Sequence, residues 1–247
     1  MAWFMQIIRE PYSSLTGITT VAVMADPGCR PGWKKNFMPL LKHVWDLHRP
    51  ELFIVAGDLS FTSSPEEYQQ IIGVMEQYPA RIAAVPGDHD RPLKNFISYF
   101  GATRKVVDVD GWRFIGLNTA NRRFTRVEAE FLDRNVKERS IIFTHLPPEA
   151  EGWAFHSMWP KSSRRFFEFL DGHHDKIHAC FFGHIHGFSV RSYRGIPLIA
   201  TGGVAESCVV HENSYQGRGF FEMMIFNVAT GGISLCKMEL SVSGNPA

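Results

Sequence analysis

Acidic and imidazole side chains recur at five points along the chain, each directly after an apolar run rich in β-branched residues. The five segments are Asp26-Pro27-Gly28, Gly57-Asp58, Gly87-Asp88-His89-Asp90, His145 and Gly183-His184-Ile185-His186. Carboxylate oxygens combined with imidazole nitrogens suit Mn²⁺, Fe or Zn²⁺, and this number of ligands is enough for two ions that share a carboxylate. The residue types therefore indicate a dinuclear metal centre.

These segments differ in how specifically they indicate a metal. Asp26-Pro27-Gly28 alone is typical of a turn, and Gly57-Asp58 alone is typical of a loop before a helix. Gly183-His184-Ile185-His186 is more specific, because imidazoles at i and i+2 of an extended chain share one side, as chelation requires. Two solvated histidines at a strand end are the alternative for that motif. The less specific segments indicate a metal site only when they are considered together with the Gly183–His186 motif.

The elements that must position these side chains follow an α/β pattern, in which β-branched runs alternate with stretches of helical periodicity. Side chains that follow successive strands can converge, because α/β proteins build their sites at the carboxyl ends of strands. The strands predicted before the five segments are 18–25, 51–56, 81–85, 140–144 and 178–182. Helices are predicted over 33–47, from Ser64 onward, over 126–137 and over 166–170, and further strands over 188–240. Asp110-Gly111 predicts a hairpin within 105–117, so the sheet is expected to be mixed.

Composition limits the fold and the partners. The 26 Lys and Arg residues nearly balance the 25 Asp and Glu residues, so no strong field steers the chain toward nucleic acid or a membrane. The 247 residues, 45% of them hydrophobic, are enough for one sizeable core. No linker-like stretch divides them, so we expect a single domain over 1–247 with its core at about 17–240.

Cysteine usage and apolar runs favour a cytoplasmic protein. Cys29, Cys180, Cys208 and Cys236 lack metal-binding spacing and are expected to be reduced thiols. The amino-terminal residues do not resemble a signal peptide. No apolar run reaches the roughly 20 residues that a membrane span needs.

In their order and placement, the five segments resemble the motifs of the calcineurin-like metallophosphoesterases: D-x-H, G-D-x-x, G-N-H-[DE], a lone H, and G-H-x-H. The resemblance covers about residues 18–205. The stretches around His145 and His184 look most like the branch that contains cyclic-nucleotide and other phosphodiesterases. The resemblance implies a four-layer α/β/β/α sandwich with two mixed β-sheets and a metal site at the carboxyl ends of the strands.

The resemblance also implies a ligand set for two divalent ions, with Mn²⁺ favoured and Fe, Zn²⁺ or Mg²⁺ as alternatives. Carried over position by position, one ion would be held by Asp26, Asp58 and His186, and the other by Asp58, Asp88, His145 and His184. A metal-bridging hydroxide would attack a phosphodiester or phosphomonoester. His89 would act as the general acid, and Asp90 would orient its ring.

The sequence departs from the family pattern at two ligand positions. Gly28 stands where most members have a histidine, and Asp88 stands where they have an asparagine. Purple acid phosphatases also have the glycine, but they recover a ligand from a tyrosine where this chain has Phe61. Cys29, His156 and His211 are candidates for the missing ligand. The extra carboxylate of Asp88 makes the site one unit less positive, so hydrolysis is expected to require both ions.

Substrate contacts are expected from loops around the metal ligands. Arg91, His156 and His211 are the candidates, with Arg122 or Arg123 as further sources of positive charge. The aromatic loop 149–160 could form a lid over a nucleobase or an acyl chain, or fold down onto the core. The expected partner is a small phosphate ester rather than a nucleic acid.

Two other functions stay open on the sequence. A catalytically weakened member of the family could serve as a protein-binding scaffold, and loss of the histidine at Gly28 is one route to that role. The retained His89 and Asp90 argue against a scaffold, because a scaffold needs no oriented general acid. A nuclease is disfavoured by the near-zero net charge.

Overall fold

The computed structural model describes residues 5–150, 152–153, 156–205 and 220–239. The helices within these ranges are α1 (Lys34–His48), α2 (Pro65–Met75), α3 (Leu93–Phe100), α4 (Arg126–Asn135) and α5 (Pro160–His173). The strands are β1 (Gln6–Ile7), β2 (Tyr12–Leu15), β3 (Thr20–Met24), β4 (Leu52–Ala56), β5 (Arg81–Val85), β6 (Lys105–Val109), β7 (Trp112–Leu117), β8 (Ser140–Thr144), β9 (Ile177–Phe182), β10 (Phe188–Tyr193), β11 (Ile196–Thr201), β12 (Phe220–Asn227) and β13 (Ile233–Glu239).

The strands form two mixed sheets, as predicted. The first sheet has six strands in the order β1-β5-β4-β3-β12-β13, and the second has seven in the order β10-β11-β9-β8-β7-β6-β2. Strands β5, β4 and β3 pair in parallel in the first sheet, and β9, β8 and β7 do so in the second. The parallel strands lie at the centre of each sheet, so their carboxyl ends are brought side by side.

Three hydrophobic clusters separate four layers of secondary structure. One packs helix residues such as Phe37, Ile71 and Phe96 against the first sheet. Another packs α4 and α5 against the second sheet through residues such as Leu132 and Phe166. The third lies between the sheets and holds the inward side chains of strands from both. The α/β/β/α sandwich implied by the resemblance is therefore confirmed.

Several predicted elements agree with the structure. The strand predicted over 81–85 is β5, and Asp110-Gly111 joins β6 to β7 as an antiparallel pair. Ser64 begins α2 with a capping box: its hydroxyl accepts from the Glu67 amide while Glu67 reaches back to the Ser64 amide. The local sequence alone specifies these features, which is why they could be predicted.

Three elements were not predicted. Helix α3 has only eight residues, and no side chain caps its start at Pro92. Strands β1 and β2 have two and four residues and pair in parallel with β5 and β6 at the sheet edges. The predicted core boundary at about residue 17 therefore omitted two edge strands, which are too short to give a periodic signal.

No helix in the described ranges combines the length and apolar character that a bilayer span requires.

Candidate metal centre

The five predicted segments converge where the carboxyl ends of the two sheets meet. Asp26 follows β3, Asp58 follows β4, Asp88 follows β5, His145 follows β8, and His184 and His186 follow β9. The first three strands belong to one sheet and the last two to the other. The six residues predicted as metal ligands thus lie at one edge of the sandwich, where they form two groups.

The first ligand group comprises Asp26, Asp58 and His186, whose candidate ligand atoms all lie within 4.8 Å of one another. The His186 Nε2 atom lies 3.5 Å from Asp26 Oδ1. Both carboxylates are buried, and the histidine is partly exposed. This group coincides with the set that the resemblance implied for one ion.

The second ligand group comprises Asp88, His145 and His184, whose candidate ligand atoms also lie within 4.8 Å of one another. Asp88 Oδ1 lies 2.8 Å from His145 Nε2 and 2.9 Å from His184 Nδ1. The other ring nitrogen of His145, Nδ1, lies 2.9 Å from the Ala56 carbonyl, which can only accept a hydrogen bond. That contact fixes the ring so that Nε2 is the nitrogen that can ligate.

Asp58 lies between the two groups and has an unsatisfied oxygen. Its Oδ1 accepts from the His89 amide at 3.0 Å, while the buried Oδ2 has no hydrogen-bond partner among the described residues. Oδ2 lies 3.4 Å from His145 Nε2, a member of the second group. A buried carboxylate oxygen without a donor costs stability unless a cation compensates it. The donor set and this orphaned oxygen fit a divalent cation at each group, with Asp58 shared between them.

Charges within the centre shift the pKa values of its members. Burial would lower the pKa of His145, but the carboxylates of Asp58 and Asp26 raise it well above the ordinary value. Burial would raise the pKa of Asp88, but hydrogen bonds from His145 and His184 bring it below its ordinary value. The centre thus attracts positive charge strongly, which is the electrostatic condition for binding metal cations.

Four of the six ligand residues have positive φ, a backbone region that side chains rarely adopt. Asp26, Asp58, His184 and His186 have φ of 60°, 54°, 67° and 52°. Each left-handed residue turns the chain sharply at the end of its strand and so aims its side chain into the centre. The conformation is partly compensated by local hydrogen bonds, such as those that the His184 amide donates to Asp26 Oδ2 at 3.0 Å and Oδ1 at 3.2 Å.

Neighbouring glycines leave the space that the ligands occupy. A Cβ on Gly87 would lie 2.0 Å from Asp58 Oδ1, and one on Gly57 would lie 2.5 Å from His145 Nδ1. A Cβ on Gly202 would lie 2.3 Å from Asp26 Oδ2. Gly57 and Gly87 belong to the motifs found in the sequence, whereas Gly202 was not assigned to the site. The sequence feature that could have identified Gly202 is its position directly after the buried strand β11.

Gly28 is held against the neighbouring loop by direct backbone contact. Its amide donates to the Asp58 carbonyl at 2.9 Å. A Cβ at this position would lie 2.2 Å from the Leu59 carbonyl oxygen and 2.8 Å from the Ser60 amide nitrogen. No side chain fits there unless the backbone moves. A histidine at this position of the first motif would therefore require the loop after β4 to follow a different path.

The predicted replacements for that missing ligand lie in different places. Cys29 is buried and packs in the hydrophobic cluster between the helices and the first sheet. His156 lies beside the second ligand group, with its ring centroid 6.0 Å from that of His184. His211 lies outside the described residues.

The structure corrects the predicted role of Asp90 in orienting His89. The Nδ1 atom of His89 lies 2.9 Å from the Phe61 carbonyl, and the imidazole stacks on the Phe61 ring at 5.1 Å between centroids. Within the described chain the Asp90 carboxylate contacts other groups: the amides of Gly87, Leu59 and Ser60 and the hydroxyls of Ser60 and Tyr68. Asp90 folds back because these donors surround it in the interior.

Asp90 instead ties together the loops that carry two ligands. It is fully buried, accepts from the Gly87 amide at 2.9 Å, and accepts from the Tyr68 hydroxyl at 2.9 Å. Burial and the nearby charge of Asp58 raise the pKa of Asp90 to about 7. It thereby holds the segment before Asp88 against the loop that follows Asp58.

The other candidates for substrate contact are Arg91 and the aromatic loop 149–160. Arg91 is exposed directly after Asp90. In the aromatic loop, Trp153 and Met158 are buried against α5 and the second sheet, as the core-packing alternative predicted. Trp159 is 54% exposed. The described part of this loop is therefore folded onto the core, with a single large aromatic side chain at the surface.

Glu222 is a site neighbour that the sequence analysis missed. It lies fully buried in β12 and accepts from the Thr201 hydroxyl at 2.8 Å and the Gly203 amide at 3.0 Å. It thus fixes the loop that contains Gly202, against which Asp26 packs. The sequence feature that could have identified Glu222 is a single acidic residue within the apolar run Phe220–Asn227.

We expect Glu222→Gln to remove a pH dependence of stability. Burial, together with the nearby charge of Asp26, raises the pKa of Glu222 from 4.5 to about 7. The folded state then binds an extra proton between these values, so the stabilisation is complete below pH 4.5 and is lost as the pH rises through 7. Urea unfolding measures the free energy of unfolding of both proteins at pH 5 and pH 8. The value for the variant minus the value for wild type should be about 2 to 3 kcal/mol larger at pH 8 than at pH 5. An equal difference at both pH values would contradict this assignment.

Comparisons with known proteins agree with the site. The family model of the calcineurin-like phosphoesterases matches residues 19–188. A probable cyclic nucleotide phosphodiesterase of Synechococcus sp. is 25% identical over 169 residues, which are 61% of this chain and 66% of the relative. A 3′,5′-cyclic-nucleotide phosphodiesterase of Nostoc sp. is 26% identical over 168 residues, 62% of each chain. The matched region is thus less than two thirds of either relative's length.

Solved structures share the fold at low sequence identity. A structure of GAP50, described as the anchor in the inner membrane complex of Plasmodium, superimposes with a TM-score of 0.60 at 11% identity and covers 91% of this chain and 89% of that one. The protein TT1561 of Thermus thermophilus gives a TM-score of 0.57 at 10% identity, with 89% and 98% coverage. The family match covers well over half of the sequence and includes every residue of both ligand groups. On this evidence the chain belongs to the calcineurin-like phosphoesterase family.

Proposed function

We propose that this protein is a metal-dependent phosphodiesterase that hydrolyses a small phosphodiester such as a cyclic nucleotide. The observation that carries the proposal is the buried Oδ2 of Asp58, which has no donor in the described chain and lies between two groups of ligand-type side chains. Family membership supports phosphoesterase chemistry. The names of the two relatives favour a cyclic nucleotide as the diester.

Each ligand group would hold one divalent ion, and Mn²⁺ is the ion we favour. Asp26, Asp58 and His186 would hold one, and Asp88, His145 and His184 would hold the other, with Asp58 shared. Oxygen-rich groups with imidazoles suit Mn²⁺, and three protein ligands leave room for solvent and substrate. Ions bound there would activate water as a nucleophile and neutralise charge on the phosphoryl oxygens.

His89 would donate the proton that the leaving group needs. Its Nδ1 lies 2.9 Å from the Phe61 carbonyl, so Nδ1 carries a proton in either charge state of the ring. In the imidazolium form Nε2 also carries a proton, which it can transfer to the departing alkoxide and so return to the neutral ring. The stacking contact with Phe61 limits rotation of the imidazole. Phe61, rather than Asp90, would therefore be the residue that positions the general acid.

We expect His89→Ala to lose about 100-fold or more in kcat toward a diester with a poor leaving group, while Mn²⁺ binding is retained. The His89 side chain belongs to neither ligand group, so its removal should leave the metal affinity intact. Steady-state kinetics and calorimetric Mn²⁺ titration check the two parts. His174→Ala, at an exposed position on the far end of α5, is the matched control and should behave as wild type. Loss of Mn²⁺ binding together with turnover would assign His89 a ligand or structural role instead.

The proposed function is tested by hydrolysis of cyclic AMP, bis(p-nitrophenyl) phosphate and p-nitrophenyl phosphate. Metal-stripped protein is titrated with Mn²⁺, and release of product is followed for each ester. We expect turnover that rises with Mn²⁺ and is faster for the diesters than for the monoester. Absence of turnover with all three esters at saturating Mn²⁺ would contradict the proposal and favour the scaffold.

A further inference from the structure

A basic cavity of about 410 Å³ lies between the first turns of α4 and α5, and none of the six ligand residues lines it. Its cationic lining comes from both helix starts: Arg123 and Arg126 on one side, Lys161 and Arg165 on the other. Trp159 completes the wall. We call this the basic pocket.

Most of the positive charge in the basic pocket is not neutralised by the protein. Arg126 forms an ion pair with Glu130 at 2.6 Å. Within the described chain, Arg123, Lys161 and Arg165 have no carboxylate within ion-pair distance. The guanidinium of Arg165 is instead held at the wall by a hydrogen bond to the Phe124 carbonyl at 3.1 Å. Three cations thus face one cavity without a counter-charge, which favours an anionic ligand.

The two helices add to this preference. Helix α4 has ten residues and is capped by Thr125, and α5 has fourteen residues and begins at Pro160. The amino terminus of a helix carries partial positive charge from its free amides. Because both helices start at the pocket, their dipoles reinforce the charge of the side chains.

Trp159 gives the basic pocket an aromatic surface. The indole is 54% exposed, and the Arg122 guanidinium lies 5.2 Å from its ring centroid. The backbone amide of Trp159 donates to the Arg122 carbonyl at 3.0 Å, so the position of this residue is fixed. Exposed aromatic rings beside cations bind nucleobases by stacking while the cations bind phosphate.

We propose that the basic pocket is a second ligand site, which binds a nucleotide through its terminal phosphate and packs the base on Trp159. A phosphomonoester carries between one and two negative charges at neutral pH, which suits several cations better than a single carboxylate does. Nucleotide binding in the basic pocket does not require hydrolysis at the metal centre. It can therefore be tested without metal.

Calorimetric titration of metal-stripped protein in EDTA with 5′-AMP tests the proposal. We expect binding that weakens as NaCl is raised, and weaker binding of adenosine, which lacks the phosphate. The double variant Arg123→Glu, Lys161→Glu should bind 5′-AMP at least about 10-fold more weakly. The matched control Lys35→Glu, Lys94→Glu reverses two exposed lysines elsewhere and should bind as wild type. Absence of binding to wild type, or equal affinity in both double variants, would overturn the proposal.

Two further variants separate the parts of the site. Trp159→Ala should weaken 5′-AMP binding while leaving the binding of inorganic phosphate unchanged. Asp58→Asn with His186→Ala disrupts the first ligand group and should leave 5′-AMP binding unchanged in EDTA. If this second variant abolished binding, the nucleotide would occupy the metal centre and the basic pocket would not be a separate site. Failure of the proposed hydrolysis would leave all of these binding results unaffected.

Discussion

Replacing Asp58 by asparagine is expected to abolish metal-dependent hydrolysis. The residue contributes a buried oxygen with no donor in the described chain, 3.4 Å from His145 of the second ligand group. An amide cannot supply the negative charge that two cations would share at this position. Loss of an outer contact to a metal ligand already costs about 10- to 100-fold in affinity or activity. Loss of a shared ligand should exceed that range for both Mn²⁺ affinity and turnover.

The Asp58→Asn experiment separates a metal defect from a folding defect. Calorimetric Mn²⁺ titration and hydrolysis of bis(p-nitrophenyl) phosphate give the two readouts, and thermal unfolding reports the fold. The variant should unfold at a somewhat lower temperature than metal-free wild type, because it loses the attraction between the Asp58 carboxylate and His145, but it should still unfold cooperatively. Asp46→Asn, on the exposed face of α1, is the matched control. Wild-type turnover in Asp58→Asn would show that Asp58 does not share the ions.

Replacing Gly28 by histidine is expected to unfold or destabilise the protein rather than restore the family ligand. The Cβ alone would lie 2.2 Å from the Leu59 carbonyl oxygen, far inside van der Waals contact. The obstructing atoms belong to the backbone, so no side-chain rotation relieves the clash. Overpacking of this kind costs about 1 to 3 kcal/mol and can cost more. Gly28→Ala should show most of the effect, since the conflict begins at Cβ.

Urea unfolding of Gly28→His and Gly28→Ala measures this cost. Gly73→Ala is the matched control, because Gly73 lies within α2 and nothing approaches its Cβ position within 4 Å. That control should be as stable as wild type or more stable by up to about 1 kcal/mol. A Gly28→His protein of wild-type stability with tighter Mn²⁺ binding would contradict the structural account. It would show instead that the loop after β4 moves easily to admit the side chain.

Residue types and their order predicted which side chains converge at the candidate metal centre. Carboxylates and imidazoles placed directly after β-branched runs predicted which side chains would meet. The prediction succeeded because parallel strands align their carboxyl ends whatever the details of packing. The start of α2 at Ser64 and the β6–β7 hairpin could likewise be predicted, since their hydrogen bonds connect residues close in sequence.

Only the tertiary structure decided contacts between residues distant in sequence. The acceptor for His89 Nδ1 is the carbonyl of Phe61, 28 positions away, and no local pattern distinguishes it from Asp90 next to the histidine. The close approach of Leu59 to Gly28 and the placement of Glu222 beneath the Gly202 loop also depend on how separate strands pack. A sequence specifies which groups are available, whereas the packing of the two sheets fixes which of them touch.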